Sequence, residues 1–284
     1  MDKAALIVNL DKKEAFTVAE RAIEWFEERN KEFLIEEHAA FQLSQKDREA
    51  DYERIKNEAD YIIIIGGDGT FLHTSHHFIG SDLPLLGINV GHLGFLTDVE
   101  TDELTKALEM IDDNNYNIEK RMMLKTEHYR NEEKINSSYA LNDYVINRDP
   151  DSQMLKIELY INKELVNNFR GDGLIIATPT GSTAYSLSAG GPIINPRQVQ
   201  AILITPICPH NLHLRPMVIS DQEEIRIKVD SDGRSVKGCA DGRQKNKIIP
   251  GDEIYISGAD QGLSIIKLPD RTFYTIVKEK MNLA

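Results

Sequence analysis

The sequence is poor in several features that would point to particular classes of protein. Only two of its 284 residues are cysteines, Cys208 and Cys239, and neither belongs to a CxxC pair. This spacing argues against a disulfide framework and a zinc knuckle. The apolar run near the N-terminus covers only residues 4–8, and no run approaches the length of a membrane span or a signal sequence. We therefore expect a cytoplasmic protein.

Positive charge is also scarce, because 33 Lys and Arg residues stand against 46 Asp and Glu residues, for a formal net charge of −13. Such a chain has no overall attraction to phosphate backbones or anionic lipid, and no dense run of Lys and Arg supplies a local patch. The composition therefore predicts no nucleic-acid partner and no membrane partner. With 41% hydrophobic residues, the chain can bury two modest cores, which favours two domains.

The first third of the chain alternates apolar strand-like runs with helical patterns, at residues 17–29 and 101–111 for example, which favours a parallel sheet wrapped by helices. The run 61–65 has no polar alternation and is typical of a central strand covered on both faces. It ends in a glycine turn at 66–70, and the strand predicted at 85–90 ends in a second glycine turn at 91–95. Because ligands bind beyond the carboxyl ends of such strands, we expect both turns to line one site.

After about residue 118 the pattern changes to period-two alternation with short strands and frequent turn signals. One helical interruption is predicted near Gly181. The predicted fold is an α/β domain with a parallel sheet at residues 1–118 and a mostly β domain at residues 119–269. The C-terminal segment, residues 270–284, has a weak helical pattern, and packing back on the first domain is one option for it. Turns are predicted at 131–133, 232–233, 241–242 and 250–252.

The turn Gly66-Gly67-Asp68-Gly69-Thr70 combines glycines with one acid. Glycines let main-chain N–H groups approach an anion closely. A carboxylate at Asp68 would repel phosphate unless a metal ion lies between them or it accepts a proton from an attacking hydroxyl. Capping of the next helix by Asp68 is the alternative.

The P-loop and GxGxxG patterns are both absent, so the chain is neither a P-loop enzyme nor a standard dinucleotide-binding dehydrogenase.

Small hydroxylated residues crowd the stretch 170–192 around a predicted helix start. Exposed N–H groups and hydroxyls at such a start suit the ribose, phosphate or amide groups of a ligand. Helix caps alone would explain Ser182, Thr183 and Gly190 but not the whole density. The GxSxG spacing is absent around Ser186 and Ser188, which excludes the usual serine-hydrolase arrangement.

Three histidines, His73, His76 and His77, follow the first glycine turn at helical spacing. A metal site would need an HExxH or partner carboxylate pattern, and the sequence has neither. We therefore expect structural roles for these histidines. We expect no metal ligand from the protein apart from the option at Asp68, with Mg²⁺ carried by the substrate. His73, five residues past Asp68, is kept as a candidate to face the site and contact the substrate.

Taken together, these stretches resemble the NAD kinases. The first glycine turn alone is shared with diacylglycerol and sphingosine kinases, whereas Thr-Pro-Thr-Gly-Ser-Thr-Ala-Tyr at 178–185 is specific to the NAD kinases. The similarity covers most of the chain and extends to about residue 245. The stretches that carry it, in the family's order and at similar spacing, are 66–70, 91–95, 141–143, 172–192, 205–210 and 215–216.

The resemblance implies an enzyme that uses ATP and Mg²⁺, or another divalent cation, to phosphorylate the 2′-hydroxyl of the adenosine ribose of NAD. It also implies a site between the two domains and commonly between subunits of a homodimer or homotetramer. Asp68 would accept the ribose proton or organise metal and triphosphate. Gly66, Gly67, Gly69 and Thr70 would bind phosphate, and Gly69 would also contact NAD. Inorganic polyphosphate stays open as an alternative donor.

Further NAD-binding residues are implied at positions that match the family pattern. Three of them depart from it: Asp143 stands where Glu is usual, Gln153 where relatives often carry a basic residue, and Arg243 where Gln is usual. Either Arg243 or Gln244 can take the role of that Gln. The implied residues are Asn142, Asp143, Gln153, Arg170, Asp172, Thr183, Ala184, Tyr185, Ser186, Ser188, Arg243 and Gln244.

Two other functions compete with this hypothesis. A lipid kinase of the same superfamily would need an apolar groove for acyl chains, and the sequence shows none. A non-catalytic NAD sensor would bind the dinucleotide and signal through a change of oligomer. The presence of Asp68 argues against the sensor.

Overall fold

The computed structural model describes residues 1–149, 152–231, 236–269 and 271–281, without the side chains of Gln244 and Lys245. The chain divides into two compact units, one formed by Met1–Lys120 with Leu263–Ala284 and the other by Arg121–Gly262. The sequence placed these boundaries at 118/119 and 269/270. The second boundary differs because a change of periodicity does not reveal which sheet the last strand joins.

The strands take the following labels. They are β1 (Ala4–Val8), β2 (Phe33–Glu36), β3 (Glu49–Ala50), β4 (Tyr61–Gly66), β5 (Leu85–Asn89), β6 (Val99–Glu100), β7 (Asn117–Arg121), β8 (Leu124–Arg130), β9 (Glu133–Ala140), β10 (Asp143–Arg148), β11 (Leu155–Ile161), β12 (Glu164–Gly171), β13 (Gly173–Ala177), β14 (Ala201–Ile207), β15 (Met217–Ser220), β16 (Ile225–Asp230), β17 (Val236–Ala240), β18 (Gln244–Ile248), β19 (Glu253–Gly258) and β20 (Leu263–Lys267).

The helices are fewer and mostly short. None of those in the described ranges is both long and apolar enough to cross a membrane. The α-helices are α1 (Lys13–Glu28), α2 (Glu37–Gln42), α3 (Tyr52–Glu58), α4 (Asp68–Ser75), α5 (Leu104–Asp112), α6 (Tyr185–Ser188) and α7 (Phe273–Met281). Single turns of 3-10 helix cover Lys46–Arg48, His76–Phe78, Thr101–Glu103 and Gly181–Thr183.

An eight-stranded sheet forms the centre of the first unit. Its order is β3-β2-β1-β4-β5-β20-β7, with β6 beside β5. The pairs β1–β2, β1–β4, β4–β5 and β5–β20 are parallel. Every residue of β1 and β4 is buried, as expected for strands covered on both faces. The predicted α/β domain with a parallel sheet is confirmed, and the carboxyl ends of β1, β4 and β5 lie next to one another.

The amphipathic helices of this unit follow the predicted faces. The helix predicted at 17–29 begins earlier, at Lys13, because Ala15 also faces the core. The helix predicted at 101–111 starts as a 3-10 turn, where Glu100 and Glu103 form a capping box. Its apolar face, Leu104, Ala107, Leu108 and Ile111, is buried as predicted.

The C-terminal segment returns to the first unit. Ile266 of β20 joins the main hydrophobic core, and α7 buries Phe273, whose ring centroid lies 6.3 Å from that of Phe95. Lys267 ends β20 and forms a buried ion pair with Asp98, with 2.8 Å between Nζ and Oδ2. These two side chains are only 3% and 5% exposed, so each charge depends on the other for solvation.

The second unit consists of two six-stranded antiparallel sheets, ordered β15-β14-β13-β10-β17-β18 and β12-β11-β16-β19-β8-β9. Apolar residues from both sheets form one core between them. The predicted mostly β domain is confirmed. Turns occur where expected at 131–133 and 241–242, with positive φ at Asn131, Glu132, Asp241 and Gly242. The turn predicted at 232–233 lies outside the described residues.

We expect Lys267→Met to destabilise the first unit by about 3–5 kcal/mol, because Asp98 would remain buried without its partner. Urea unfolding monitored by circular dichroism measures the loss. Lys278→Met is the matched control, since Lys278 is exposed on α7. The double variant Lys267→Met with Asp98→Leu should recover most of the loss, and a double variant as unstable as the single one would contradict the ion-pair explanation.

Candidate active site

The first glycine turn joins β4 directly to α4. A Cβ at Gly66 would lie 2.6 Å from Thr70 Oγ1, so the strand and the helix can approach this closely only with glycine at position 66. Gly67 is the N-cap residue and Gly69 is exposed, with nothing within 4 Å of a Cβ built there. Thr70 Oγ1 accepts a hydrogen bond of 2.8 Å from Asn9 Nδ2. The first N–H groups of α4 have no partner within the helix and suit a phosphate.

Asp68 points its carboxylate at the second glycine turn. Oδ2 accepts from the N–H of Phe95 at 2.8 Å, and Oδ1 accepts from the N–H of Leu96 at 3.1 Å and of Thr97 at 3.0 Å. Thr97 Oγ1 also donates to Oδ1, at 3.0 Å. Capping of α4 by Asp68 is therefore wrong, since the cap position belongs to Gly67 and the carboxylate binds a different loop.

Glycine at position 94 makes this contact possible, because a Cβ there would overlap the Asp68 carboxylate. The two glycine turns thus lie together, as expected from their positions at the ends of β4 and β5. The buried Lys267 adds a further tie, since its Nζ lies 3.4 Å from the carbonyl oxygen of Leu96. No sequence motif pointed to Lys267, and its only signal was a lysine at the end of an apolar strand.

The histidines of α4 and the turn after it have separate positions. His77 stacks on Tyr52 with ring centroids 4.0 Å apart, and burial lowers the pKa of His77. His73 is exposed, with its ring 5.6 Å from that of His77. Among the residues that the structure describes, these histidines form no group that could hold a metal ion. His77 therefore has a packing role. Contact between His73 and the substrate stays a prediction.

Asn142 and Asp143 in the second unit are held by Asp241. The Asp241 carboxylate accepts from the N–H groups of Leu141 at 2.7 Å, Asn142 at 2.8 Å and Asp143 at 3.1 Å. In return, the Asp241 N–H donates to the carbonyl of Asp143 at 2.9 Å. Asp241 adopts a positive φ of 48° in the turn between β17 and β18. Three consecutive N–H groups converge on one carboxylate and fix the start of β10.

Asp143 is itself buried, with only 6% of the residue exposed. Burial raises the pKa of the Asp143 carboxyl to about 7, and the nearby Asp241 charge adds to the rise, whereas a hydrogen bond from the Tyr185 N–H opposes it. Near neutral pH, Asp143 therefore exists in both protonation states. It can accept a hydrogen bond from a hydroxyl or donate one, depending on pH.

The hydroxyl-rich stretch after β13 is held together largely by its own side chains. Ser182 Oγ donates to the Pro179 carbonyl at 2.6 Å and accepts from the N–H of Ile194 at 3.0 Å. The Ser186 hydroxyl is fully buried and lies 2.8 Å from Thr205 Oγ1. Ser186 thus uses its hydroxyl inside the protein, so a ligand contact through that hydroxyl would require rearrangement.

The other candidates in this stretch differ in exposure. Thr183 is half-buried, and its Oγ1 donates to the Thr180 carbonyl at 3.3 Å. Ala184 is half-buried, whereas Tyr185 and Ser188 are exposed on α6. The predicted helical interruption is confirmed as a 3-10 turn followed by the four residues of α6.

Arg170, Asp172 and Gln153 lie near the opposite end of β10 from Asp143. Arg148, the last residue of β10, donates through Nε to Asp172 Oδ1 at 2.6 Å. Arg170 and Gln153 are exposed; Arg170 lies on β12, two residues before Asp172, and Gln153 precedes β11. Five residue steps along an antiparallel strand span roughly 17 Å. The structure therefore places these candidates in two groups, and sequence reasoning missed Arg148.

Two candidates, Arg243 and Gln244, lie at the turn between β17 and β18. Arg243 is exposed, and its N–H donates to the carbonyl of Ala240 at 2.9 Å. Gln244 begins β18, but its side chain lies outside the described part of the chain. The turn stands beside Asp143 through the β10–β17 pair, in which Tyr144 faces Ala240. Its place agrees with a role near Asn142 and Asp143 for either residue.

Comparison with known proteins gives the family. Residues 4–116 match the ATP-NAD kinase N-terminal domain and residues 141–268 match the ATP-NAD kinase C-terminal domain. The NAD kinase of Moorella thermoacetica is 40% identical over 281 residues, 99% of this chain and 89% of that protein. The NAD kinase of Caldanaerobacter subterraneus subsp. tengcongensis is 37% identical over 99% of both chains. The chain belongs to the NAD kinase family.

A solved structure agrees with this assignment. Yeast NADH kinase, crystallised with NADH, matches with a TM-score of 0.90 at 27% identity, over 100% of this chain and 88% of that chain. Membership in the NAD kinase family makes the chain a phosphotransferase that uses ATP to phosphorylate NAD. The lipid-kinase alternative and the non-catalytic sensor are set aside with it.

The raised pKa of Asp143 predicts a pH-dependent stability difference between the wild-type protein and Asp143→Asn. Folded Asp143 keeps its proton up to a pKa of about 7, whereas an unperturbed Asp has a pKa of 3.8. Stability from this group is therefore lost as pH rises from about 4 to about 7. Asn has no proton to lose in this range. The free energy of unfolding of the variant, relative to that of the wild type, should therefore rise by about 3–4 kcal/mol over that window.

Urea unfolding at several pH values across this window measures the difference. Asp260→Asn serves as the control, because it makes the same substitution at an exposed residue. A stability difference for Asp143→Asn that stays constant with pH would mean that Asp143 is ionised throughout.

Proposed function

We propose that the chain transfers the terminal phosphate of ATP to the 2′-hydroxyl of the adenosine ribose of NAD, with Asp68 receiving the hydroxyl proton. The observation that carries this assignment is the fixed orientation of the Asp68 carboxylate. Oδ1 accepts three hydrogen bonds and Oδ2 accepts one. Because an ionised carboxylate has about four acceptor positions, two on each oxygen, Oδ2 keeps a position for a substrate hydroxyl.

Apart from proton transfer to Asp68, this proposal attributes catalysis mainly to the positioning of the phosphate and the hydroxyl. Phosphoryl transfer asks a protein for in-line placement and neutralisation of charge, with little covalent chemistry. The N–H groups at the start of α4 would hold a phosphate beside Asp68. The hydrogen bonds from residues 95–97 keep the carboxylate from turning as the substrate binds.

The donors at the glycine turn also fit a divalent cation that is held mainly by the triphosphate. The turn offers the Asp68 carboxylate, and Mg²⁺ is usually held by one or two carboxylates together with substrate phosphates. When bound, the ion would neutralise charge on the transferring group. Asp68 Oδ2 would be the protein atom closest to this role, as an alternative to proton transfer.

The two groups of NAD-binding candidates support a homo-oligomeric site. Asn142 and Asp143 begin β10, while Arg170 and Asp172 lie near its far end, roughly 17 Å away. One chain cannot bring both groups to the same atoms of a ligand. We propose that the second group belongs to a site completed by another copy of the chain, in a homodimer or homotetramer.

The central test incubates the protein with NAD, ATP and Mg²⁺ and detects NADP with an NADP-specific dehydrogenase. We expect the wild type to form NADP and Asp68→Asn to lose turnover by about a hundredfold or more, the range of general-base catalysis. Parallel reactions with inorganic polyphosphate in place of ATP, and with EDTA, decide the donor and the need for a divalent cation.

Thr97→Val is the matched control for Asp68→Asn. It removes the hydroxyl bond to Oδ1 but leaves the N–H bonds and Oδ2 in place. We expect its turnover to stay within about tenfold of the wild type, since it loses one neutral donor. Near-normal turnover of Asp68→Asn would remove Asp68 from the proton-acceptor role.

We expect Asp143→Asn and Asp172→Asn each to lose most of the activity, and the shared site predicts that the two variants complement each other. Asp143→Asn and Asp172→Asn place their defects at opposite ends of β10, so in a mixed oligomer some sites would carry both defects and others neither. Coexpressed chains with different affinity tags, purified through both tags, should therefore regain a substantial fraction of wild-type activity. Activity no higher than that of the separate variants would place both residues in a site formed by one chain.

A further inference from the structure

Lys12 lies at the same edge of the sheet as the two glycine turns, although neither turn contains it. It follows β1, which runs parallel to β4, and β4 runs parallel to β5. The main chain ties these strand ends together, since the Asn9 N–H donates to the Ile65 carbonyl at 2.9 Å and the Val90 N–H to the Gly66 carbonyl at 2.8 Å. Lys12 therefore stands where open parallel sheets bind their ligands.

The Lys12 ammonium reaches into the gap between the two glycine turns. Its Nζ donates a hydrogen bond to the Val90 carbonyl. It lies 3.3 Å from the position of a Cβ at Gly91 and 3.9 Å from that of a Cβ at Gly67. Because both positions are glycine, no side chain from either covers the ammonium.

This ammonium keeps hydrogen-bonding capacity for a ligand. Lysine has three N–H donors, and the bond to Val90 uses one of them. In the part of the chain that the structure describes, no carboxylate pairs with Lys12, and Asp68 directs its own carboxylate to residues 95–97. The residue is exposed, so an anion from solution can reach it.

A cation at this place would favour binding of an anionic donor to this chain. With a net charge of −13, the protein as a whole repels a triphosphate, and the first turn of α4 supplies only partial positive charge. We propose that Lys12 binds a phosphate of the ATP donor through its ammonium, next to the phosphate that the glycine turn holds. The inference rests on the proposed function and adds a donor-binding residue from outside the motifs.

Steady-state kinetics with ATP and NAD varied separately test this role in Lys12→Met, Lys12→Arg and Lys13→Met. Methionine keeps the length of the stem and removes the charge, so the KM for ATP should rise about ten- to hundredfold, as for loss of a charge-assisted hydrogen bond. The KM for NAD and the melting temperature should change little. Arginine should restore most of the loss, and Lys13→Met, altered at an exposed neighbour, should match the wild type.

Thermal shift with ATP alone and with NAD alone supplies a readout that does not depend on turnover. We expect Lys12→Met to lose most of the ATP-induced rise in melting temperature and to keep the NAD-induced rise. An unchanged KM for ATP, or equal rises of the KM values for ATP and NAD, would overturn the assignment. A wild type that forms no NADP would defeat the proposed function instead, while the ATP-induced shift would still decide the role of Lys12.

Discussion

The hydrogen bonds between the Asp68 carboxylate and the backbone of residues 95–97 are the constraint on which the carboxyl edge of the first unit's sheet depends. They join the ends of two neighbouring parallel strands, β4 and β5, through one side chain. Gly66 lets the helix approach the strand, and Gly94 leaves room for the carboxylate. Gly94 is thus explained by the geometry around Asp68 and Gly66 by the close approach of Thr70, before any ligand is considered.

The second unit also contains a carboxylate that binds backbone N–H groups, and here these groups lie at the start of a strand. There the Asp241 carboxylate gathers three consecutive N–H groups and so places Asn142 and Asp143. This arrangement places the Asp241 carboxylate close to that of Asp143. Burial, together with the Asp241 charge, raises the pKa of Asp143 to about 7. In both units, an acid that binds backbone N–H groups fixes the position of residues that we propose to contact the substrate.

Local patterns predicted the parts of this structure that depend on local chemistry. The uninterrupted apolar run of β4 and the glycines after it were sufficient to place the first turn at a sheet edge. The partnership of Lys267 with Asp98 was not predictable, because ion pairs between distant segments leave no periodic signal. The internal use of the Ser186 hydroxyl was missed for the same reason, since its partner Thr205 belongs to a later strand.

The return of β20 to the first sheet also bears on how the protein is made. Ribosomes release the chain from its N-terminus, and domains generally fold as they emerge. Yet β20, which pairs with β5 and delivers the lysine partner of Asp98, emerges only after the whole β-rich unit. The first unit thus reaches its final form last, and a prematurely terminated chain would leave the loop around Asp68 without its buried counter-charge.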